Sequence, residues 1–266
     1  MPATTSGRSP VELLPPGVSS LARGIPDAPA GTLFLLSDRG GIKVSGSAQG
    51  FTVVFGRNRP DVHVCVGEDD PRMSRRHGSL KADRGRWTLT NTGGVPIRLP
   101  ESRLLLTGQE TGLTPAYTPM FIRTEPGREH LVEVRVAGHE RPRSRAAHED
   151  VTGQPAVWRL SDRERLVLTA LGQRYLRHEA HPQPLSWTNV QQELDELQPG
   201  EGWTAKQAEW VVKKVRERLH DGSVPGLTRD EVGEPIGNAL NHNLLVELLQ
   251  TTTLVPPDLR LLDEDA

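Results

Sequence analysis

The chain has 266 residues and a formal net charge of −2, from 32 basic and 34 acidic side chains. This balance argues against polyanion binding by the whole molecule, and the length allows two modest hydrophobic cores. A single cysteine, Cys65, excludes an intramolecular disulfide, while the lack of a long apolar run and of a signal-peptide pattern predicts a cytoplasmic protein with no membrane partner.

Residues 1–30 are rich in proline and small residues, with one short apolar patch at residues 11–14. This composition predicts a disordered arm. The hydroxyl side chains of the arm are candidate phosphorylation sites that could dock elsewhere in the chain, and an inert tail is the alternative. They are Thr4, Thr5, Ser6 and Ser9.

Between residues 31 and 137, short runs of β-branched and aromatic residues recur between glycine-rich breaks. Strands are predicted at residues 32–36, 42–44, 51–55, 62–66, 78–81, 87–90, 97–99, 120–123 and 130–136. Short strands at such regular spacing predict an all-β sandwich.

Two of the predicted loops carry groups suited to phosphate. The strand at residues 51–55 ends at Gly56, which places Arg57 in a loop, and Ser74 and Arg75 follow the strand at residues 62–66. An arginine fork and a serine hydroxyl together suit a dianionic phosphate. We therefore predict a phosphate clasp on loops held by a rigid sheet.

The order of these residues resembles the forkhead-associated (FHA) domain. Gly56-Arg57, then Ser74-Arg-Arg-His77, then a strand containing Trp87 carry the resemblance, which covers roughly residues 31–136. It implies a β-sandwich that binds phosphothreonine peptides, with phosphate contacts from Arg57 and Ser74 and an auxiliary contact from Arg75. It also implies that Gly56 and His77 support the site.

The family's contact to the peptide backbone is an asparagine in the loop after the tryptophan strand. This chain reads Asn91-Thr-Gly-Gly-Val-Pro-Ile97 there and has no asparagine at Val95 or Pro96. Asn91 is therefore the candidate peptide-binding residue. Two functions stay open, a phosphopeptide-binding module and a scaffold with a degenerate phosphate pocket.

Residues 138–157 lose all periodicity and are predicted to form a linker. A helical pattern follows over residues 158–250, starting with a capping box at Ser161 and Glu164. A second helix is predicted at residues 186–197 and a third after the cap Thr204. Residues 251–266 are predicted to form an acidic tail.

Three helices with a Pro-Gly turn between the second and third resemble a helix-turn-helix or winged-helix domain. In that arrangement the third helix would contact DNA, and its candidate contacts are Lys206, Lys213, Lys214 and Arg216. The segment as a whole is nearly neutral, so DNA binding and protein binding both stay open.

The sequence lacks the phosphate loop, the nucleophile elbow and the metal-binding helix motif of common enzyme classes. We predict no catalysis, no cofactor and no metal. The sequence thus predicts a multidomain protein of bacterial type, with an all-β FHA-like sandwich followed by a mainly α, helix-turn-helix-like domain. Its expected function is a phosphothreonine-dependent signalling adaptor downstream of a Ser/Thr kinase. The alternative is a DNA-binding transcription regulator with the FHA-like domain as its sensor.

Overall fold

The computed structural model describes residues 10–138 and 157–263. The chain divides into two compact units. The first contains residues 1–99 and 103–145, and the second contains residues 100–102 and 146–266. Most of the predicted linker, residues 139–156, lies outside the described residues.

Two β-sheets form the first unit. The larger sheet contains β1 (Val11–Leu13), β2 (Leu33–Ser37), β3 (Gly40–Val44), β8 (Ile97–Arg98), β9 (Leu104–Leu105), β11 (Tyr117–Glu125) and β12 (Arg128–Val136). The smaller contains β4 (Thr52–Gly56), β5 (Val64–Cys65), β6 (Gly78–Asp83), β7 (Arg86–Asn91) and β10 (Glu110–Leu113). The strand order is β1-β3-β2-β12-β11-β8-β9 in the larger sheet and β10-β7-β6-β4-β5 in the smaller.

The core of this unit lies between the two sheets, as the alternation of buried and exposed residues along β6 and β7 requires. Leu80 and Leu89 are fully buried there, together with Trp87. The Trp87 Nε1–H donates to the Gly31 carbonyl oxygen at 2.8 Å. This buried indole therefore has its one polar atom satisfied.

Residues 10–30 differ from the predicted disordered arm. Strand β1 pairs with β3, and Leu21 packs with Phe34 and Leu36 on the sheet face that points away from the main core. Leu21 is fully buried. The low hydrophobic content of this segment predicted disorder. A few apolar residues nevertheless suffice to dock an extended segment onto an existing sheet. The candidate phosphorylation sites in residues 1–9 lie outside the described part of the chain.

The second unit is helical. Its elements are α1 (Asp162–Leu176), α2 (Trp187–Leu197), α3 (Ala205–Asp221), α4 (Arg229–Val232), α5 (Ala239–Gln250) and a 3-10 helix (Pro256–Leu262). Helix α1 lies at the centre and contacts α2, α3, α5 and the 3-10 helix. The capping box predicted at its start is present, with Ser161 and Glu164 bonded reciprocally at 3.3 and 2.9 Å.

The segment predicted as an acidic tail packs onto α1 up to residue 263. Leu254 and Val255 are buried, and the Arg165 guanidinium donates to the Thr253 carbonyl at 2.8 Å and to Asp258 at 3.1 Å. Net acidity therefore did not prevent folding, because apolar residues are interspersed with the acids.

Residues 157–263 contain no β-strand. A winged helix has a β-hairpin after its third helix, whereas here a turn and the short α4 follow α3. The prediction of a wing is thus wrong for the described residues. No helix in the described ranges is long and apolar enough to cross a bilayer.

Candidate functional site

Three loops of the β unit are joined by hydrogen bonds that backbone N–H groups donate. The Arg57 N–H donates to the Ser74 carbonyl at 3.1 Å, and the Asn58 N–H donates to the Arg75 carbonyl at 3.3 Å. The third loop joins through the Gly94 N–H, which donates to Ser74 Oγ at 3.1 Å. The structure thus brings together Arg57 and Ser74, which lie far apart in the sequence.

Gly56, at the end of β4, permits this close approach. A Cβ atom at this position would lie 2.5 Å from the Arg75 carbonyl oxygen and 2.8 Å from the His77 nitrogen. Only glycine lets two backbones come so close without a shift. The neighbouring Cys65 thiol adds a weak bond, since its Sγ lies 3.5 Å from the Arg57 carbonyl oxygen.

Arg57 is half-buried, and its Nε is buried without a hydrogen-bond partner among the described residues. No ion pair joins Arg57, Arg75 or Arg76 to a carboxylate within residues 10–138 and 157–263. Arg75 and Arg76 are exposed. A buried cationic donor without a partner is unfavourable, and an anion would satisfy it.

Ser74 has hydrogen-bonding capacity left for such an anion. Its Oγ accepts one bond, from the Gly94 N–H. A hydroxyl also carries one donor hydrogen. Arg57 and Ser74 thus each keep an unused donor, and their backbones are joined by a hydrogen bond.

His77 is fully buried behind the site. Its Nε2 lies 3.0 Å from the Val95 carbonyl oxygen, so Nε2 must be the donor. Burial lowers the pKa of His77, and its Nδ1 has no partner in the described residues. The neutral imidazole thus braces the loop that contains Gly93 and Gly94.

The structure corrects the role predicted for Asn91. Its side chain is fully buried, and its hydrogen-bond partners in the described part of the chain are all backbone groups. Asn91 Nδ2 donates to the carbonyls of Val95 at 3.0 Å and Leu105 at 2.8 Å, and its Oδ1 accepts from the Gly93 N–H at 2.9 Å. Asn91 therefore shapes the loop from inside and is not placed to contact a peptide.

Sequence reasoning missed Asp70, a carboxylate that is 1% exposed. Burial tends to raise its pKa, but bonds from His130 and Thr124 and from the Arg72 N–H outweigh this and lower it to about 2. The only sequence signal was an acid directly before Pro71 in the segment that leads to Ser74.

The candidate DNA-contacting residues on α3 are mostly paired within the protein. Lys213 and Lys214 lie 3.7 and 2.9 Å from Glu217. Arg216 is half-buried, which lowers its pKa, and bonds to Asn241 at 3.3 Å. Lys206 is exposed and forms no ion pair among the described residues. The basic surface of this helix is thus smaller than its composition predicted.

Trp210 was not predicted as a surface residue, yet its side chain is 59% exposed. It lines a groove of about 710 Å³ between α3 and the start of α1, together with Arg163, Lys206 and Lys214. This exposure could not be predicted from the helical pattern, because Trp210 lies beside the buried Val211 on the same helix. In the part of the chain that the structure describes, no group of three His, Cys, Asp or Glu side chains could hold a metal ion.

Part of the β unit matches a known protein family. The family model described as the FHA domain matches residues 53–100, the segment that contains Gly56, Arg57, Ser74 and His77. A comparison with curated proteins found no match.

Several solved FHA structures are similar to this chain. The FHA-1 domain of Mycobacterium tuberculosis Rv1747 is 23% identical, with coverage of 42% of this chain and 100% of that chain and a TM-score of 0.32. The N-terminal FHA domain of S. cerevisiae Rad53p, in complex with a phosphothreonine peptide, is 13% identical, with coverage of 40% and 93% and a TM-score of 0.33. An engineered FHA domain with a Myc-pTBD peptide is 17% identical, with coverage of 40% and 91% and a TM-score of 0.34. On the strength of the family match, the β unit of this chain contains an FHA domain.

Proposed function

We propose that this protein is a phosphothreonine-dependent protein-binding adaptor in the cytoplasm, acting downstream of a Ser/Thr kinase. The observation that carries the proposal is the buried Nε of Arg57, which has no hydrogen-bond partner among the described residues and belongs to a residue whose backbone N–H is bonded to the Ser74 carbonyl. FHA domains are phosphopeptide-binding modules, so a phosphothreonine side chain is the anion that best suits the site.

The phosphate group contributes most of the binding in this proposal. Arg57 and Ser74 donate to its oxygens, and the exposed Arg75 adds a charge beside them. The loop over the site contains Gly93 and Gly94 and offers no side-chain amide to the peptide backbone, because Asn91 is buried beneath it. We therefore expect recognition to depend strongly on phosphate and weakly on the flanking peptide.

A phosphothreonine peptide library tests the proposal. We expect the full chain to bind phosphorylated peptides and not their unphosphorylated counterparts, and Arg57→Ala and Ser74→Ala each to weaken binding by about tenfold or more. Arg86→Ala is the matched control, since Arg86 is exposed at the opposite end of β7 from the site. Equal affinity of the wild type and Arg57→Ala would contradict the proposal and favour a scaffold with a degenerate pocket.

DNA binding by the helical unit is the second candidate, and the exposed pair of Lys206 and Trp210 favours it. The paired state of Lys213 and Lys214 argues against a large contact with phosphates. An electrophoretic shift screen at low salt tests this function, with Lys206→Ala/Lys214→Ala compared against Lys81→Ala, an exposed lysine of the β unit. Salt-sensitive binding that only the double variant loses would support a transcription regulator, and no binding would exclude it.

A further inference from the structure

The connection between β5 and β6 contains a buried carboxylate with four donors around it. Asp70 Oδ2 accepts from Thr124 Oγ1 at 2.5 Å and from His130 Nε2 at 2.7 Å, and the Arg128 Nε lies 3.5 Å away. Its Oδ1 accepts from the Arg72 N–H at 2.9 Å. A carboxylate with this many donors is held in one orientation, and removing it would leave the half-buried donors of Thr124 and His130 without this partner.

The side-chain partners of Asp70 come from the end of the β11–β12 hairpin in the other sheet. The register of these strands shifts between Arg123, paired with Glu129, and Glu125, paired with Arg128. Thr124 is therefore the extra residue of a β-bulge, a feature that re-aims a side chain. Here it directs the threonine hydroxyl to Asp70.

The same connection docks on the hairpin at a second point. Gly67 has a φ of +62°, and a Cβ atom there would lie 2.9 Å from the His130 ring. An ion pair between Arg72 and Glu125 joins the two segments on the exposed side. The connection is thus held against the hairpin on both sides of Asp70.

A short path leads from Asp70 to the candidate phosphate site. The Met73 N–H donates to the Asp70 carbonyl at 3.1 Å, and the Met73 side chain is buried in the core. Ser74 is the next residue, and it accepts from the Arg57 N–H and the Gly94 N–H, each at 3.1 Å. The segment that Asp70 holds therefore determines where Ser74 lies relative to Arg57.

We infer that Asp70 is a positioning residue for anion binding: by fixing residues 70–73 on the bulged β11–β12 hairpin, it places the Ser74 hydroxyl beside Arg57. The identity of the ligand rests on the proposed function. The Asp70 carboxylate favours anion binding by positioning Ser74. Its negative charge has the opposite effect, because a negative group close to an anion site repels the anion.

Because the charge of Asp70 and its positioning of Ser74 have opposite effects on anion binding, the direction of the affinity change distinguishes them. Asp70→Asn removes the charge but leaves one acceptor oxygen and introduces an NH2 group against donors. If Asp70 acted through charge alone, this variant would bind a phosphothreonine peptide more tightly. Positioning predicts that binding weakens by about tenfold.

The control Asp69→Asn removes an adjacent carboxylate that is 75% exposed and paired with Arg39, and we expect the affinity of this variant to stay within about twofold of the wild type. Equal affinities of the two variants would overturn the inference.

A double-mutant cycle separates positioning from general destabilisation. In a Ser74→Ala background, we expect Asp70→Asn to cost at most about threefold in peptide affinity, because the hydroxyl that it positions is already absent. The same factor in both backgrounds would overturn the inference.

A measurement without ligand distinguishes failure of this inference from failure of the proposed function. Thr124→Val keeps the side-chain shape, removes one donor to Asp70 and serves if Asp70→Asn does not fold. We expect the amide hydrogens of Arg57 and Gly94, both bonded to Ser74, to exchange with solvent faster in this variant. A wild type that binds no phosphothreonine peptide would refute the proposed function, while unchanged exchange at Arg57 and Gly94 would refute the role of Asp70.

Discussion

His77 makes the stability of the β unit depend on pH. Its pKa is lowered by burial, so the unfolded chain, with an ordinary value of 6.5, binds a proton at a higher pH than the folded chain. We therefore expect the free energy of unfolding to fall as the pH drops below about 6.5, until the folded-state pKa is reached. Urea unfolding at several pH values between 5 and 8 would measure this effect.

His77→Gln is the control for this prediction, because a glutamine amide can still donate to the Val95 carbonyl. The pH dependence should be smaller in this variant. His63, whose pKa burial also lowers, contributes in the same direction and will leave a remainder. An identical pH dependence in the variant and the wild type would contradict the assignment.

Asn91 should matter more for folding than for ligand contact. Asn91→Ala removes bonds to two carbonyls and one N–H inside the protein, and we expect a loss of stability of about 2 kcal/mol or more in urea unfolding. An unchanged midpoint, with weaker phosphopeptide binding, would instead support the contact role that the sequence predicted.

For single residues, the sequence predicted which side chains lie in loops, but it did not predict which polar side chains are buried. The loop positions of Arg57 and Ser74 could be predicted, because both residues follow runs with a strand pattern. Asn91 and Asp70 could not, since their partners come from residues distant in the chain, such as Leu105 and Thr124. Periodicity describes one strand or helix at a time and does not reveal which polar groups meet across the fold.

Among the secondary structure elements, the segment at residues 10–30 packs on the sandwich although the sequence did not predict this. Besides the packing of Leu21, its Ser20 hydroxyl donates to the buried Glu133 carboxylate at 2.6 Å, and the Leu21 N–H donates at 3.3 Å. Residues 10–30 therefore donate two hydrogen bonds to a buried carboxyl group and also cover apolar surface.

Leu21→Ala tests whether this segment is part of the folded unit. We expect a destabilisation of about 2–5 kcal/mol, because the side chain is fully buried between the segment and the sheet. Leu13→Ala is the matched control, as its side chain is 84% exposed, and it should change stability by less than about 0.5 kcal/mol. Equal unfolding midpoints for the two variants would mean that the segment is an arm after all.

Elements with strong patterns were predictable, and weak ones were not. Helix α1 begins after Ser161 as its capping box predicted, and β6 and β7 match their alternating runs within two residues. The short strands β1, β9 and β10 were missed, because they have only two to four residues and each is an edge strand of its sheet. Their structure comes from a partner strand rather than from their own sequence.

For the whole molecule, the two units have separate hydrophobic cores. The core of the first contains Leu80, Trp87 and Leu89, and the core of the second contains Leu171, Val212 and Leu245. We expect a fragment of residues 1–138 to fold alone and to bind the same phosphothreonine peptide as the full chain, within about threefold in affinity. Circular dichroism with urea unfolding checks the folding. A fragment that is unfolded, or folded without binding, would contradict this division of function.

The hydrogen bond between Cys65 and the Arg57 carbonyl allows ligand binding at the site to be followed through the reactivity of the Cys65 thiol. Cys65 is the one cysteine of the chain, so a thiol reagent has a single target, and that target lies against the residue expected to hold phosphate. Burial raises the pKa of this thiol, which lowers its thiolate fraction at neutral pH and slows its alkylation. A ligand on Arg57 should slow the reaction further, so occupancy could be read as a protection factor in the unmodified protein.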